Sequence, residues 1–282
     1  MVDDENLICG NHLRRPAAVK TTEAGIDANS VRVLSRGLKI LRVFAPKNDW
    51  LSNHEIASAT GLPRSTVSRL AANLTDEGYL EYSLEHGYYR LGAAVLALGY
   101  AVVTNIDILE VARPFLQELA DSEDALVLLS TRDGLAMVCN EVCYGRNMLT
   151  LRVGVGSRLA ITTSAVGRAL IGTLPDGQRD ALLDEIRENV GGDWVLLGPA
   201  FNDATAQMRE KKFYTSIGTL EQGVNGVGAV LDVAGAPYTY VIGIAAPSFR
   251  FEPQLLDQRV GPRLIEIKHE IEQQMASVTR PN

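Results

Sequence analysis

The sequence predicts an α+β protein: an N-terminal winged helix-turn-helix, a linker helix, and a larger C-terminal domain built on an antiparallel sheet. Three observations predict it. Between Ser52 and Leu91, two short amphipathic helices joined by a Gly-containing turn precede two aromatic, β-prone segments. A nearly all-apolar run, residues 93–104, follows. Beyond it, strand-like and helical runs are interspersed, the texture of an α+β domain with a mostly antiparallel sheet.

Residues 1–29 mix small, polar and charged types without periodicity and read as a flexible tail. From Val31 to Phe44, Val31, Leu34, Leu38, Leu41 and Val43/Phe44 recur at helical spacing, and Pro46 with Lys47-Asn48-Asp49 ends that helix. Ser52 then stands three residues before Glu55, the signature of a capping box. Ile56, Ala57 and Ala59 make a short helix that stops at Gly61. Pro63 suits the first turn of a second helix, whose buried face is Val67, Leu70, Ala71 and Leu74 and whose end is Gly78. Tyr79–Tyr82 and Tyr88–Leu91 flank residues 83–87 as a hairpin. A helix is expected at Ile108–Ala120 and strands at 125–130, 135–142, 148–153, 227–233 and 238–246. Helices are expected at 164–173, 176–189 and 202–212, with a last one over 253–276 disturbed at Gly261-Pro262. The division that follows is a tail (1–29), a winged helix-turn-helix (30–92), a linker helix (93–106) and a larger domain (107–282).

The chain has 282 residues, 46% hydrophobic and 22% charged, a globular composition. Its apolar stretches are interrupted well short of the roughly 20 residues of a membrane span. Met1 is followed by Asp3, Asp4 and Glu5 and not by a basic segment and an apolar run, so the reading is cytoplasmic with no membrane partner. The cysteines are Cys9, Cys139 and Cys143, an odd and sparse set that fits a reducing compartment. Cys139 and Cys143 fall in a strand-like run with no accompanying ligand pair, so they read first as buried thiols and no metal site or cofactor is assigned. The net charge of -7 is unevenly spread. Residues 30–92 hold eight Lys/Arg against six Asp/Glu, whereas residues 93–282 hold sixteen against twenty-three. A polyanionic partner would therefore meet the first segment.

Two helices joined by a tight turn set the second where it enters a DNA major groove, about 12 Å wide. Removing its buried face leaves Arg64, Ser65, Thr66, Ser68, Arg69, Ala72 and Asn73. Arg pairs with guanine and Asn with adenine through two hydrogen bonds each, while Ser and Thr hydroxyls suit phosphates or bases. The candidate DNA contacts are Ser52, Arg64, Ser65, Thr66, Ser68, Arg69 and Asn73, together with Arg32 and Arg36 in the preceding helix. The hairpin offers His86, Tyr88, Tyr89 and Arg90 as a wing. An apolar linker helix that a small winged domain cannot bury predicts a two-fold dimer and hence a palindromic double-stranded operator.

An enzyme on the larger domain is the competing reading, and its chemistry is thin. Gly154-Val155-Gly156-Ser157 lacks the ending of a P-loop and reads as a turn beside a ligand pocket. Ser157, Thr162, Thr163 and Ser164 have no nucleophile elbow around them, and none of His12, His54, His86 and His269 falls within 93–252. A third reading keeps the DNA-binding half and makes Cys139 and Cys143 a redox or metal sensor.

Ser30–Leu41, Gly61-Leu62-Pro63-Arg64-Ser65-Thr66-Val67-Ser68-Arg69-Leu70, Glu77-Gly78-Tyr79-Leu80 and Tyr89-Arg90-Leu91-Gly92 resemble the IclR family of bacterial regulators. The likeness continues, more loosely, through Val155–Leu159 and Ser164–Leu170. It implies a GAF-like C-terminal domain that binds a small effector, and dimers that in part of the family pair into tetramers. It implies control of catabolic or efflux genes, by repression more often than activation. The effector-binding positions it points to are Gly156, Ser157, Thr162, Thr163, Ser164, Glu221, Val224, Gly226, Gly243 and Ala245. The sequence departs from the family pattern at Ala160, Ile161 and Thr162, where proline, leucine and histidine are usual, at Ile217–Gln222, where an acidic stretch is usual, and at Gly226, Gly243 and Ala245, where a cysteine and serines are usual. A carboxylate needs several convergent donors, so these losses predict a larger or more apolar effector, such as an aromatic molecule.

Overall fold

The computed structural model describes residues 28–44, 50–103, 107–146 and 153–278. Residues 1–27 of the expected tail, the helix end at Pro46 and Lys47-Asn48-Asp49, Cys9, His12, residues 104–106, and all of the expected strand 148–153 except Val153 lie outside these.

The N-terminal part is three helices and a three-stranded antiparallel sheet. Helix α1 spans Ala28–Leu41, so it starts three residues before the expected Val31 and ends before Phe44. Helix α2 (Asn53–Thr60) opens with the predicted capping box: the Glu55 N–H donates to Ser52 Oγ at 3.2 Å, and the Ser52 N–H donates to Glu55 Oε2 at 2.8 Å. The Ser52 hydroxyl also donates to Glu55 Oε2 at 2.7 Å, and this bond, with that from the Ser52 N–H, holds the Glu55 carboxyl below its usual range. Helix α2 stops at Gly61, whose φ of 69° is the left-handed conformation that glycine adopts at no steric cost. Helix α3 (Arg64–Asp76) follows, with Pro63 one position earlier than expected, at the N-cap. Strands β2 (Leu80–Ser83) and β3 (Tyr88–Leu91) form the hairpin. An unforeseen strand β1 (Leu51–Ser52) pairs with β3, giving the order β1-β3-β2. Ile40, Ile56, Val67, Leu70, Leu80 and Tyr89 anchor this part's core. Tyr89 is therefore a core residue and not a wing contact.

The apolar helix α4 (Ala93–Val103) joins this part to the second. Helix α5 (Asp107–Glu123) precedes β4 (Leu126–Asp133), β5 (Ala136–Tyr144) and β6 (Arg158–Ala160). Next come α6 (Ala165–Thr173), α7 (Asp176–Val190) and α8 (Trp194–Glu210). Helix α8 starts eight residues before the expected 202 and carries Pro199 within it. Strands β7 (Tyr214–Ile217), β8 (Val224–Val230) and β9 (Tyr240–Pro247) complete a six-stranded antiparallel sheet of order β6-β5-β4-β9-β8-β7. A short helical turn α9 (Pro253–Leu255) and a π-helical turn (Leu256–Val260) lead into α10 (Gly261–Val278). The expected disturbance thus falls one turn ahead of Gly261-Pro262. Gly261 itself lies against the Phe213 ring, where a Cβ has no room.

The sheet is covered on both faces. Val127, Leu129, Ile242 and Ile244 point toward α5 and α10, while Leu126, Leu128 and Val241 point toward α6 and α8. That two-sided burial is why β4 and β9 read as continuous apolar runs and not as alternation. The cysteines divide between the faces. A register shift between Leu129 and Ser130 leaves Asn140 as an extra residue in β5, so Cys139 packs with the α6 side and Cys143 with the α5 side. Burial pushes the Cys139 thiol up to about 12; burial and then the neighbouring Glu141 push Cys143 to about 11.

Candidate nucleic-acid interface and ligand pocket

Helix α3 is amphipathic in the way its sequence requires. Val67, Leu70 and Ala71 are buried against α1, α2 and β2, and Leu74 is half-buried. Arg64, Ser65, Ser68, Arg69, Ala72 and Asn73 are exposed, and Thr66 is half-buried. Two cations, two hydroxyls and an amide therefore share the outward side of one helix. Arg69 makes no hydrogen bond or ion pair among the described residues, whereas an Arg64 Nη2 lies 2.9 Å from His54 Nδ1.

The other proposed contacts are placed differently. Ser52 spends its hydroxyl on the α2 cap. Arg90 is held by Glu81 through Nε (2.7 Å) and Nη2 (2.5 Å) and stacks 4.8 Å above the Trp50 ring. Its charge is thus offset within the wing. His86 Nδ1 lies 3.2 Å from Ser83 Oγ, and Tyr88 stays partly exposed beside them. Trp50, Ser83, His86 and Tyr88 line a shallow hollow of about 360 Å³ at the wing. Sequence reasoning missed Trp50, because only the β1–β3 pairing brings it beside Arg90. Arg32 and Arg36 are exposed on α1.

In the second part, an apolar cavity of about 250 Å³ lies between the start of α6 and the sheet. Leu126, Leu128, Val153, Leu159, Val166, Leu220 and Val224 supply most of its wall. Two glycines bring α6 down onto the sheet. A Cβ on Gly243 would lie 2.5 Å from Val166 Cγ1, and one on Gly228 would lie 2.6 Å from the Ala165 carbonyl oxygen. The polar side chains around the cavity are already engaged. Ser164 Oγ caps α6 by accepting from the Gly167 N–H, and it donates to the Ala160 carbonyl. Asn225 accepts from the Gly218 N–H and donates to the Phe251 carbonyl. Ser216 Oγ is bonded to Thr219 Oγ1, which donates to the Thr163 carbonyl. Glu221, exposed at the mouth, is the one charged side chain among the described lining residues. The N–H groups of Ala165 and Val166 stand in the first turn of α6, where a helix has no internal acceptors for them.

Of the positions expected here, Ser164, Glu221, Val224, Gly226, Gly243 and Ala245 line the cavity. Gly156, Ser157, Thr162 and Thr163 do not. Gly156 and Ser157 instead form a turn that pairs with Cys139: the Cys139 N–H donates to the Ser157 carbonyl at 2.9 Å, and the Gly156 N–H donates to the Cys139 carbonyl at 2.7 Å. The Thr162 carbonyl accepts from Arg168 Nε. A larger open cleft of about 1090 Å³, lined by Arg179, Arg209, Lys212, Lys268 and Asp176 among others, lies between α7, α8 and α10. It is lined by charged side chains, whereas the cavity at α6 is mostly apolar and is the better candidate for a ligand pocket. Among the described residues, no group of three or more His, Cys, Asp or Glu is placed to hold a metal ion. Nor is any helix there long and apolar enough to cross a membrane.

Comparison with known proteins agrees with this architecture. The model of the IclR helix-turn-helix domain matches residues 33–83, and that of the bacterial transcriptional regulator IclR C-terminal domain matches residues 100–272. The regulator TsaQ1/TsaQ2 of Comamonas testosteroni is 28% identical over 272 residues, 96% of this chain and 96% of the relative. The transcriptional repressor IclR of Escherichia coli (strain K12) is 27% identical over 204 residues, 71% of this chain and 73% of that one. Among solved structures, an IclR family transcriptional regulator from Brucella abortus superposes with a TM-score of 0.77 at 36% identity, covering 94% of this chain and 100% of that one. With both domain models matched in order along the chain, the protein belongs to the IclR family of bacterial transcription regulators.

Proposed function

We propose that the protein is a ligand-released repressor that grips palindromic double-stranded DNA through α3 and opens when a small apolar or aromatic molecule fills the cavity beneath α6. The observation that carries the reading is the outward side of α3, where Arg64, Ser65, Ser68, Arg69 and Asn73 stand exposed with Arg69 unpaired among the described residues. Repression as the sign of control rests on the relative named a transcriptional repressor. The working division is DNA-binding residues 30–92, a linker at 93–106 and the ligand-responsive domain at 107–282.

The cavity supports an uncharged effector. Its volume of about 250 Å³ equals roughly eight water volumes, enough for one substituted ring. Its wall is aliphatic and its polar side chains are engaged, so a dicarboxylate would leave buried charge unpaired, at a cost of several kcal/mol per charge. The N–H groups of Ala165 and Val166 remain for a single oxygen of the ligand. Among the described lining residues Glu221 is a lone carboxylate, and Ser164 and Ser216 spend their hydroxyls on other partners, which supports ligand binding over catalysis. The two buried thiols, facing opposite sides of the sheet, count against a paired redox or metal sensor.

The homodimer is supported by apolar residues with no cover in one chain: Leu34 (66% exposed) and Leu38 on α1, Leu96 (75%) and Leu98 on α4. Leu96→Glu is expected to shift the protein toward monomer in sedimentation. The main test is a titration of the upstream intergenic DNA of its own gene at two salt concentrations, beside an Arg64→Ala/Arg69→Ala variant. Wild type is expected to bind tightly and salt-sensitively. Each lost bidentate contact weakens binding by about 1–3 kcal/mol. Equal binding by wild type and variant would refute the assignment of α3.

A further inference from the structure

Helix α3 begins without a cap of its own. Its N-cap is Pro63, which supplies no side-chain acceptor. The neighbouring helix reaches across from two consecutive residues at its own start. The Asn53 amide, oriented to satisfy both groups, donates to the Arg64 carbonyl and accepts from the Ser68 N–H, each at 3.3 Å. His54 Nδ1 accepts from Arg64 Nη2 at 2.9 Å. Ser52, just before them, locks the turn they stand on through the capping box with Glu55.

We infer that His54 is a positioning residue for DNA recognition: it aims the Arg64 side chain, while Asn53 holds the backbone from which Arg64 projects. The inference rests on the reading that α3 enters the major groove. An arginine carries five N–H donors and several rotatable bonds. His54 takes one donor and leaves the rest for a base edge. An arginine already held by an acceptor loses less rotamer freedom when it docks, which favours binding. Accepting at Nδ1 requires the proton on Nε2, so the ring has a single defined tautomer in this arrangement. Arg69 supplies the internal control. It lies on the same helix, likewise exposed, with no partner among the described residues. His54 should therefore tune the base pair read by Arg64 and leave the one read by Arg69 alone.

The experiment measures the affinity of the full chain for the upstream DNA and for versions substituted one base pair at a time. Wild type is compared with Arg64→Ala, His54→Ala, His54→Asn and the His54→Ala/Arg64→Ala double variant. Arg64→Ala is expected to erase discrimination at one base pair per half-site. His54→Ala is expected to weaken binding about three- to ten-fold and to reduce discrimination at that same base pair, with no change in melting temperature. His54→Asn, whose amide oxygen stands in for the Nδ1 acceptor, should restore much of both. In the Arg64→Ala background, His54→Ala should add nothing. If it costs as much there as in wild type, His54 touches DNA on its own account and the inference falls. Unchanged base preference in His54→Ala would overturn it equally. An Arg64→Ala variant that binds like wild type would bring down the reading of α3 itself, and the role given to His54 with it.

Discussion

Helix α3 turns polar side chains outward over a small core, whereas the cavity beneath α6 turns apolar side chains inward within a large one. Among the described residues, the first rests on nine buried ones around Ile56 and Leu80. The second lies against clusters of twenty-five and sixteen described residues on the two faces of the six-stranded sheet. A surface that binds a polyanion needs charge and hydrogen-bonding groups in water, where they cost nothing to keep. A pocket that binds an apolar molecule needs dry walls, and dry walls need surrounding mass. The small half is thus built to display and the large half to enclose.

The sharpest way to separate the halves is to damage the small core. Leu80 is 1% exposed, and Leu80→Ala should cost about 2–5 kcal/mol, a large share of a domain's usual stability of roughly 5–15 kcal/mol. Calorimetry should then show an early transition for the N-terminal half with the later one unmoved; a single shifted transition would mean that the halves unfold together. Gly243→Val probes the other half. The added side chain meets Val166 and enters the cavity, an overpacking expected to cost about 1–3 kcal/mol and to move only the later transition. The smallest effect belongs to the α2 cap: Ser52→Ala should cost about 1 kcal/mol near neutral pH. Its hydrogen bonds hold the Glu55 carboxyl below the ordinary value of 4.5, so their contribution is complete above that value and fades as pH falls through the lowered one. The difference between wild type and variant should narrow in acid, which pH-dependent melting would read.

The same contrast governs how much was legible in the sequence. The DNA-binding half is made of local signals. Capping box, glycine stop and helical spacing lie within one stretch, so α2, α3, the hairpin and the outward residues of α3 follow from reading along the chain. What escaped were contacts between separate segments: β1 on β3, Trp50 under Arg90, and His54 on Arg64. The cavity is assembled almost wholly from such contacts, with walls from β4, β6, α6, β8 and β9 and the loop before β8. Spacing along the chain carries little of that. The edge strands β6 and β7 were missed because three or four residues give too short a pattern. Thr162 and Thr163 were placed in the pocket and fall just outside it, since the helix they precede begins its inward face at Ser164. The bulge at Asn140 defeated the simple rule that residues four apart on a strand share a face, and only that bulge separates Cys139 from Cys143.

On the proposed reading, filling the cavity releases the DNA. The most direct test titrates the preformed complex of protein and upstream DNA with neutral single-ring aromatics and, in parallel, with small dicarboxylates, for wild type and Gly243→Val. Wild type should be released by a neutral aromatic at concentrations that also raise its melting temperature and not by dicarboxylates, whereas Gly243→Val should bind DNA and show no aromatic response. Release of both proteins alike, or release by dicarboxylates alone, would contradict that reading.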